Sequence, residues 1–130
     1  ISNGTLFSTG REIILPGPYT TGRKGLKKIL DNGQCIFLPF AARSGKTAVI
    51  QRENIRLAKD RETDNRYDNQ IKGQIQSMHM TGKRQQIMTT IAVPEMDFML
   101  GIAPELAGSL SLQPGKEVFL LFRSQDIVWR

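Results

Sequence analysis

Three short stretches hold residues whose types and spacing could do chemistry. Ser44-Gly45-Lys46-Thr47 has the Gly-Lys-Thr ending of a loop that cradles phosphate with backbone N–H groups. The full pattern needs a further glycine where Phe40 stands, and it must open a long helix. Thr47 instead leads into the apolar run Ala48-Val49-Ile50, so the stretch reads as a turn. Met78-His79-Met80 combines soft thioethers with an imidazole, a set suited to copper. Strand alternation, however, places both methionines on one face and His79 on the other. With only one histidine in the chain a conventional zinc site cannot be built. Met78 and Met80 are therefore expected in the core and His79 at the surface. Thr81-Gly82-Lys83-Arg84 is a tight turn with two cations and several backbone donors. It can cradle an anion, or simply form an exposed hairpin tip. No nucleophile, base and orienting acid fall into a convincing order, and Glu53, Glu62 and Asp64 sit in strand-edge or linker context. No catalysis is expected within this chain.

The elements that would position these residues say one thing twice. Leu30-Asp31-Asn32-Gly33-Gln34-Cys35-Ile36-Phe37-Leu38 reads L-x-x-G-x-x-[IV]-F-L, and so does Leu112-Gln113-Pro114-Gly115-Lys116-Glu117-Val118-Phe119-Leu120. Each is followed by an [ND]-I-x-[LW] ending, Asn54-Ile55-Arg56-Leu57 and Asp126-Ile127-Val128-Trp129. Two copies are too few for a solenoid, so a tandem or pseudo-symmetric pair of small β units is expected. Short β-branched or aromatic segments bounded by Gly, Pro, Asn and Asp predict an all-β chain. The first unit spans 1–59. It has a hairpin of Thr5–Ser8 with Glu12–Leu15, a helical turn or two over Lys24–Leu30, strands at Gln34–Phe40 and Thr47–Gln51, and Ile55–Ala58 closing the unit. Residues 60–68, almost all polar, read as a charged linker or loop. The second unit spans 69–130. Ile71, Gly73 and Ile75 share one strand face, and Ile87, Thr89 and Ile91 alternate along another. A short helix is expected from Pro104 to Leu110, with Pro104 at its start and Glu105 in its first turn. Phe37, Phe119 and Phe122 lie in apolar runs and are expected to be buried. Cys35, the lone cysteine, is expected as a small core residue, in keeping with a reducing compartment.

Composition narrows the class without choosing a partner. The chain has 130 residues, 39% hydrophobic and 23% charged, which is ordinary for a folded domain. It begins at Ile1, so a piece of a longer protein is expected. The longest apolar runs are too short to span a bilayer. The net charge of +6 permits nucleic acid, an anionic membrane face or a small anion as partner. The charge is scattered over Arg23-Lys24, Lys27-Lys28, Arg43, Lys46 and Lys83-Arg84, as on an ordinary solvated surface. No interleaving of basic and aromatic residues appears, so nucleic acid is not the expected partner.

A family resemblance rests on the order of several motifs. Asn69-x-Ile71-x-Gly73-x-Ile75 resembles the opening of the TOBE, or molybdate-binding-protein-like, domain. Ala103 to Leu112 followed by Pro114-Gly115-x-x-Val118 resembles its closing helix and strand, and Asp126-Ile127-Val128-Trp129 its last strand. Gln51-Arg52-Glu53-Asn54-Ile55-Arg56-Leu57 resembles the R-P-E-[DN]-I-x-[LV] segment of the C-terminal regions of ABC importer ATPases. The whole chain thus resembles the C-terminal region of an ATP-binding subunit of the sulfate, molybdate, iron and polyamine type. It departs from that pattern at Gln51, where Arg is usual, at Arg52, where Pro is usual, and in an insertion from Phe40 to Thr47. Where molybdate-binding members carry Ser-Ala-Arg, this chain has Arg66-Tyr67-Asp68, losing a hydroxyl and gaining a carboxylate.

The resemblance implies two OB-fold-like barrels that serve regulation and dimerisation of an importer ATPase, cytoplasmic and peripheral on the inner face of the membrane. ATP and magnesium belong to the nucleotide-binding domain of the parent protein, with no cofactor and no metal held in this region. The implied partners are a second copy, the nucleotide-binding domain, the membrane permease and a small anion or metal. Candidate ligand contacts are Asn69, Gly73, Thr81, Gly82, Lys83 and Arg84. The alternative is a free-standing module that binds an oxyanion of the molybdate or tungstate type, or nucleic acid.

Overall fold

The computed structural model describes residues 12–22, 25–39, 46–62, 66–80 and 86–130. Its elements run β1 (Glu12–Leu15), β2 (Thr20–Gly22), β3 (Gly25–Ile29), β4 (Cys35–Leu38), β5 (Ala48–Gln51), a 3-10 turn (Arg52–Asn54) and β6 (Arg56–Ala58). Then come β7 (Asn69–Met80), β8 (Ile87–Val93), β9 (Met96–Ile102), α1 (Pro104–Ser109), β10 (Glu117–Phe122), a second 3-10 turn (Ser124–Asp126) and β11 (Ile127–Trp129). The fold is all-β, with α1 the only α-helix among the described residues. The strands form sheets of order β1-β5-β11, β6-β10-β7-β8-β9 and β2-β3-β4.

The period-2 pattern explains the longest strand. Asn69, Ile71, Gly73 and Ile75 point inward along β7 while Lys72, Gln74 and Gln76 are exposed. A register shift between Ile75 and Ser77 then resets the phase. Both copies of the sequence repeat open with a glycine in the left-handed region, Gly33 at φ 90° and Gly115 at φ 92°, a conformation that only glycine adopts without steric cost. Ile36 and Leu38 in the first copy, and Val118 and Leu120 in the second, follow as buried residues.

The two halves are joined by reciprocal exchange of strands. β5, the first 3-10 turn and β6 follow one another as β10, the second turn and β11 do. Yet β5 pairs with β11, and β10 pairs with β6. Carrying Val49↔Val128 from one turn to the other gives Leu121↔Arg56, and Ala48↔Trp129 likewise gives Leu120↔Leu57. Identical registers mean an internal two-fold relation. One apolar cluster runs through both halves, taking in Ile13, Leu15, Ile36 and Ile50 with Ile71, Phe98, Leu120 and Ile127. Each fully buried side chain of this size contributes roughly 1.5–3 kcal/mol. Tyr19 fastens the N-terminal side: its hydroxyl donates to the Leu15 carbonyl (2.5 Å), accepts from the Ala48 N–H (3.0 Å), and its ring meets Trp129 edge-on at 5.2 Å.

Several expectations are corrected. Ile55–Ala58 does not close the first unit on itself, because β6 joins the sheet of the second. Periodicity reports which face is buried and not which strand lies alongside. Lys24–Leu30 is not helical: its described part is β3, hydrogen-bonded between β2 and β4. A segment this short cannot hold a helix alone, and pairing on both sides satisfies its backbone. The expected partner hairpin strand Thr5–Ser8 lies outside the described residues, and β1 pairs with β5. Phe37 is 38% exposed, since Ile36 and Leu38 take the inward positions of β4. Phe119 is half-buried under the Arg61 guanidinium, 5.0 Å from the ring centroid, and only Phe122 of the three is fully buried. Cys35 shares the outward side of β4 and is half-buried. Met78 packs against the core, but Met80 is 67% exposed because β7 outruns the core at that end.

The described parts of the expected linker are tied down. The Gln70 side chain accepts from the Glu62 N–H (2.8 Å) and donates to the carbonyls of Glu62 (3.1 Å) and Tyr67 (3.2 Å).

Candidate anion-binding groove

The two 3-10 turns form the head of a groove of about 1250 Å³. Matching backbone bonds close the turns, Ile55 N–H to the Arg52 carbonyl in the first (3.0 Å) and Ile127 N–H to the Ser124 carbonyl in the second, where Asp126 N–H also donates to the Arg123 carbonyl (3.0 Å). The turns are related by the internal two-fold, but the residues at their heads differ. In the second turn, Ser124 donates its N–H (2.8 Å) and its hydroxyl (2.5 Å) to the Asp68 carboxylate. An N–H and a hydroxyl converging on one carboxylate is an anion-binding arrangement filled by the protein itself.

In the first turn, Arg52 stands where Ser124 stands in the second. The acid that corresponds to Asp68 is Glu12, because Glu12 faces Gln51 across β1 and β5. Glu12 turns elsewhere, accepting from Gln51 Nε2 (3.0 Å) and Arg130 Nη2 (2.6 Å). Arg52 is left in the groove with its Nε buried and without a hydrogen-bond partner. Partial burial also pushes the Arg52 guanidinium below its ordinary value. Arg56, Arg66 and Arg123 line the same groove, against the acids Glu53 and Asp126. Arg123 and Asp126 pair with each other at 3.1 Å. Chemically the groove can bind and orient an anion. Among the described residues no three His, Cys, Asp or Glu side chains gather as metal ligands.

The residues singled out from sequence lie elsewhere. Asn69 is buried and structural: its Oδ1 accepts from the Phe37 N–H (2.7 Å) and its Nδ2 donates to the Phe37 carbonyl (3.0 Å). Gln34 makes the mirror arrangement with Lys72, accepting at 2.8 Å and donating at 3.1 Å. Two side-chain amides thus stitch β4 to β7. Gly73 marks a close approach, since a Cβ there would lie 2.7 Å from Ile91 Cγ2 and 3.1 Å from the Ala92 carbonyl. Neither Asn69 nor Gly73 lines the groove. Thr81, Gly82, Lys83 and Arg84 lie outside the described residues. The groove arginines were visible in sequence only as departures: Arg52 in place of a proline, and Arg66 at the head of the altered Arg66-Tyr67-Asp68 stretch.

No protein-family model matches the chain, and no curated protein matches it. Among solved structures it is similar to the cytoplasmic molybdate-binding protein ModG, determined with molybdate bound. The two chains share 16% identity over 80% of this chain and 81% of that one, with a TM-score of 0.62. The likeness is one of fold, of the OB-like type found in molybdate-binding proteins. No helix among the described residues is long and apolar enough to cross a membrane.

Proposed function

We propose that this chain is an anion-responsive regulatory module, the C-terminal regulatory and dimerisation region of an ABC importer ATP-binding subunit. The observation that carries the anion reading is the buried, unpartnered Nε of Arg52 in a groove lined by arginines and two acids. An oxyanion there would complete charge-assisted hydrogen bonds of about 1.5–3 kcal/mol each. The ordered motifs from Asn69 to Trp129, and the segment from Gln51 to Leu57, support the importer setting. A ligand shifts the parent ATPase only so far as it binds one state better than the other. The likeness to ModG, a binding protein matched over most of its own length, favours a second reading: a module that binds its oxyanion without an attached ATPase.

Calorimetric titration with molybdate, tungstate, sulfate and phosphate tests the site. One saturable oxyanion is expected, bound at least tenfold more weakly by Arg52→Gln, whose melting midpoint in the absence of ligand stays within the ordinary range of a surface substitution. Silence from all four anions with well-folded protein would sink the anion reading. Sedimentation with and without the bound anion separates the two settings. A regulatory dimerisation region changes its association with ligand, and a simple binding module does not.

A further inference from the structure

β9 is the longest open strand edge among the described residues. It ends the five-stranded sheet on the side away from β6, and only β8 pairs with it there. The other outermost strands, β1, β2, β4, β6 and β11, have three or four residues each. β9 has seven, Met96-Asp97-Phe98-Met99-Leu100-Gly101-Ile102, with no Lys, Arg or Pro. Those are the residues with which natural sheets blunt an edge. Phe98, Leu100 and Ile102 are buried, while Asp97, Met99 and Gly101 face outward, Met99 47% exposed.

The strand is complementary to itself. Two antiparallel copies related by a two-fold axis pair symmetrically about one residue. Met99 is the midpoint of β9, so an axis there pairs all seven residues. Met99 then meets the partner's Met99, and Asp97 lies opposite the partner's Gly101. Like charges directly opposite destabilise such pairs, and here the one charge of the strand faces a residue without a side chain. Asp97 makes no hydrogen bond or ion pair among the described residues. Gly101 lines the groove that holds Arg52. The same register therefore brings the partner's Asp97 to the groove in which the buried Nε of Arg52 has no hydrogen-bond partner.

We propose that two copies of this chain pair antiparallel through β9, centred on Met99, each lending its Asp97 carboxylate to the other's Arg52. Self-complementarity of the strand chooses the occupant. The net charge of the groove does not, since Glu53 stands exposed next to Arg52. The proposal rests on the reading of Arg52 as an anion receptor and names the surface of the dimerisation region. A free oxyanion and the partner's Asp97 then compete for one guanidinium, so the oxyanion loosens the dimer. A contact built on one strand is at the small end of specific interfaces, and this dimer should dissociate on dilution.

Sedimentation of the intact chain over a concentration series, with amide exchange measured at both ends of it, tests the pairing. A reversible dimer is expected, with exchange in Met96–Ile102 slowed only at high concentration. Saturating molybdate, against chloride at equal ionic strength, should weaken it about tenfold or more, as should Arg52→Gln and Asp97→Asn. Directly opposite residues of an antiparallel pair have Cα atoms roughly 4.5–5.5 Å apart, within disulfide reach. In a Cys35→Ser background, Met99→Cys should therefore cross-link to its copy on mild oxidation. Met80→Cys, at a still more exposed position (67%) but away from the edge, should not. A monomer at every concentration overturns the inference. So does a dimer whose β9 amides exchange freely, or in which Met99→Cys cross-links no faster than Met80→Cys. Undiminished association of Asp97→Asn overturns the carboxylate contact. Oxyanion binding that is lost in Arg52→Gln, by a chain that stays monomeric, overturns this inference and leaves the anion site standing. Failure of every oxyanion to bind, with Arg52→Gln associating as the parent does, overturns both.

Discussion

At the scale of single residues, side-chain amides and one buried lysine hold this molecule together. Asn69 hydrogen-bonds both main-chain groups of Phe37. Truncation to Ala leaves those partly buried groups unsatisfied, and Asn69→Ala should cost about 2 kcal/mol in urea unfolding with an unchanged slope. A loss of only a few tenths would mean that β4 and β7 are held by something else. Lys28, almost fully buried, donates to Glu95 at 3.0 Å. That bond holds the Glu95 carboxyl below its ordinary 4.5, whereas the hydrogen bond from Asp31 and the nearby Glu95 charge hold the Asp31 carboxyl above 3.8. The two act in opposite directions. Glu95 stabilises above its ordinary value and loses this as the pH falls through its depressed value. Asp31 stabilises below its ordinary value and loses this as the pH rises through its raised one. Asp31→Asn keeps a donor toward Glu95 and removes the repulsion. Its melting midpoint should exceed the parent's at neutral pH and converge with it in acid. Curves that run parallel at every pH would count against the pairing. Both carboxyls are solvent-exposed, so screening keeps the effect modest.

At the scale of elements, the two 3-10 turns are the same device used differently. The second is headed by Ser124 and filled by Asp68. The first is headed by Arg52 and opens on the groove. Asp68→Ala should cost about 1 kcal/mol, as loss of a capping carboxylate does. It also bares the Ser124 N–H and hydroxyl, so sulfate should raise the melting midpoint of Asp68→Ala more than that of the parent. An identical response to sulfate would show that the vacated head does not bind anions. β3 makes the complementary point. Leu26, Ile29 and Leu30 could be drawn on one side of a helix, but β2 and β4 already offer hydrogen-bond partners on both flanks. Local propensity is weak beside such pairing.

At the scale of the whole molecule, strand exchange makes each half depend on the other. β11 lies on β5 and β6 lies on β10, and one cluster of buried side chains crosses between the halves. Ile127 belongs to the C-terminal half yet pairs with Ile50 of the N-terminal half, and it is 3% exposed. Ile127→Ala should cost about 2–5 kcal/mol and lower the midpoint of a single transition, with amide protection falling together in β5 and β10. Two separate transitions would show that the halves fold independently.

The sequence by itself determined the all-β class, the inward face of β7, and the short helix that opens at Pro104. Each follows from local chemistry: periodicity reads out a buried face. Only the tertiary structure decided which strands neighbour which: β5, and not the motif-bearing β4, is the counterpart of β10, and the two halves exchange their last strands. Ladder partners far apart in the chain are chosen by the shared core, and a motif carries no record of them. The groove belongs to this second kind. Arg52, Arg66 and Arg123 come from separate stretches and line one groove only when the two turns are brought together, so in sequence Arg52 and Arg66 stood out only as departures from a family pattern and Arg123 not at all.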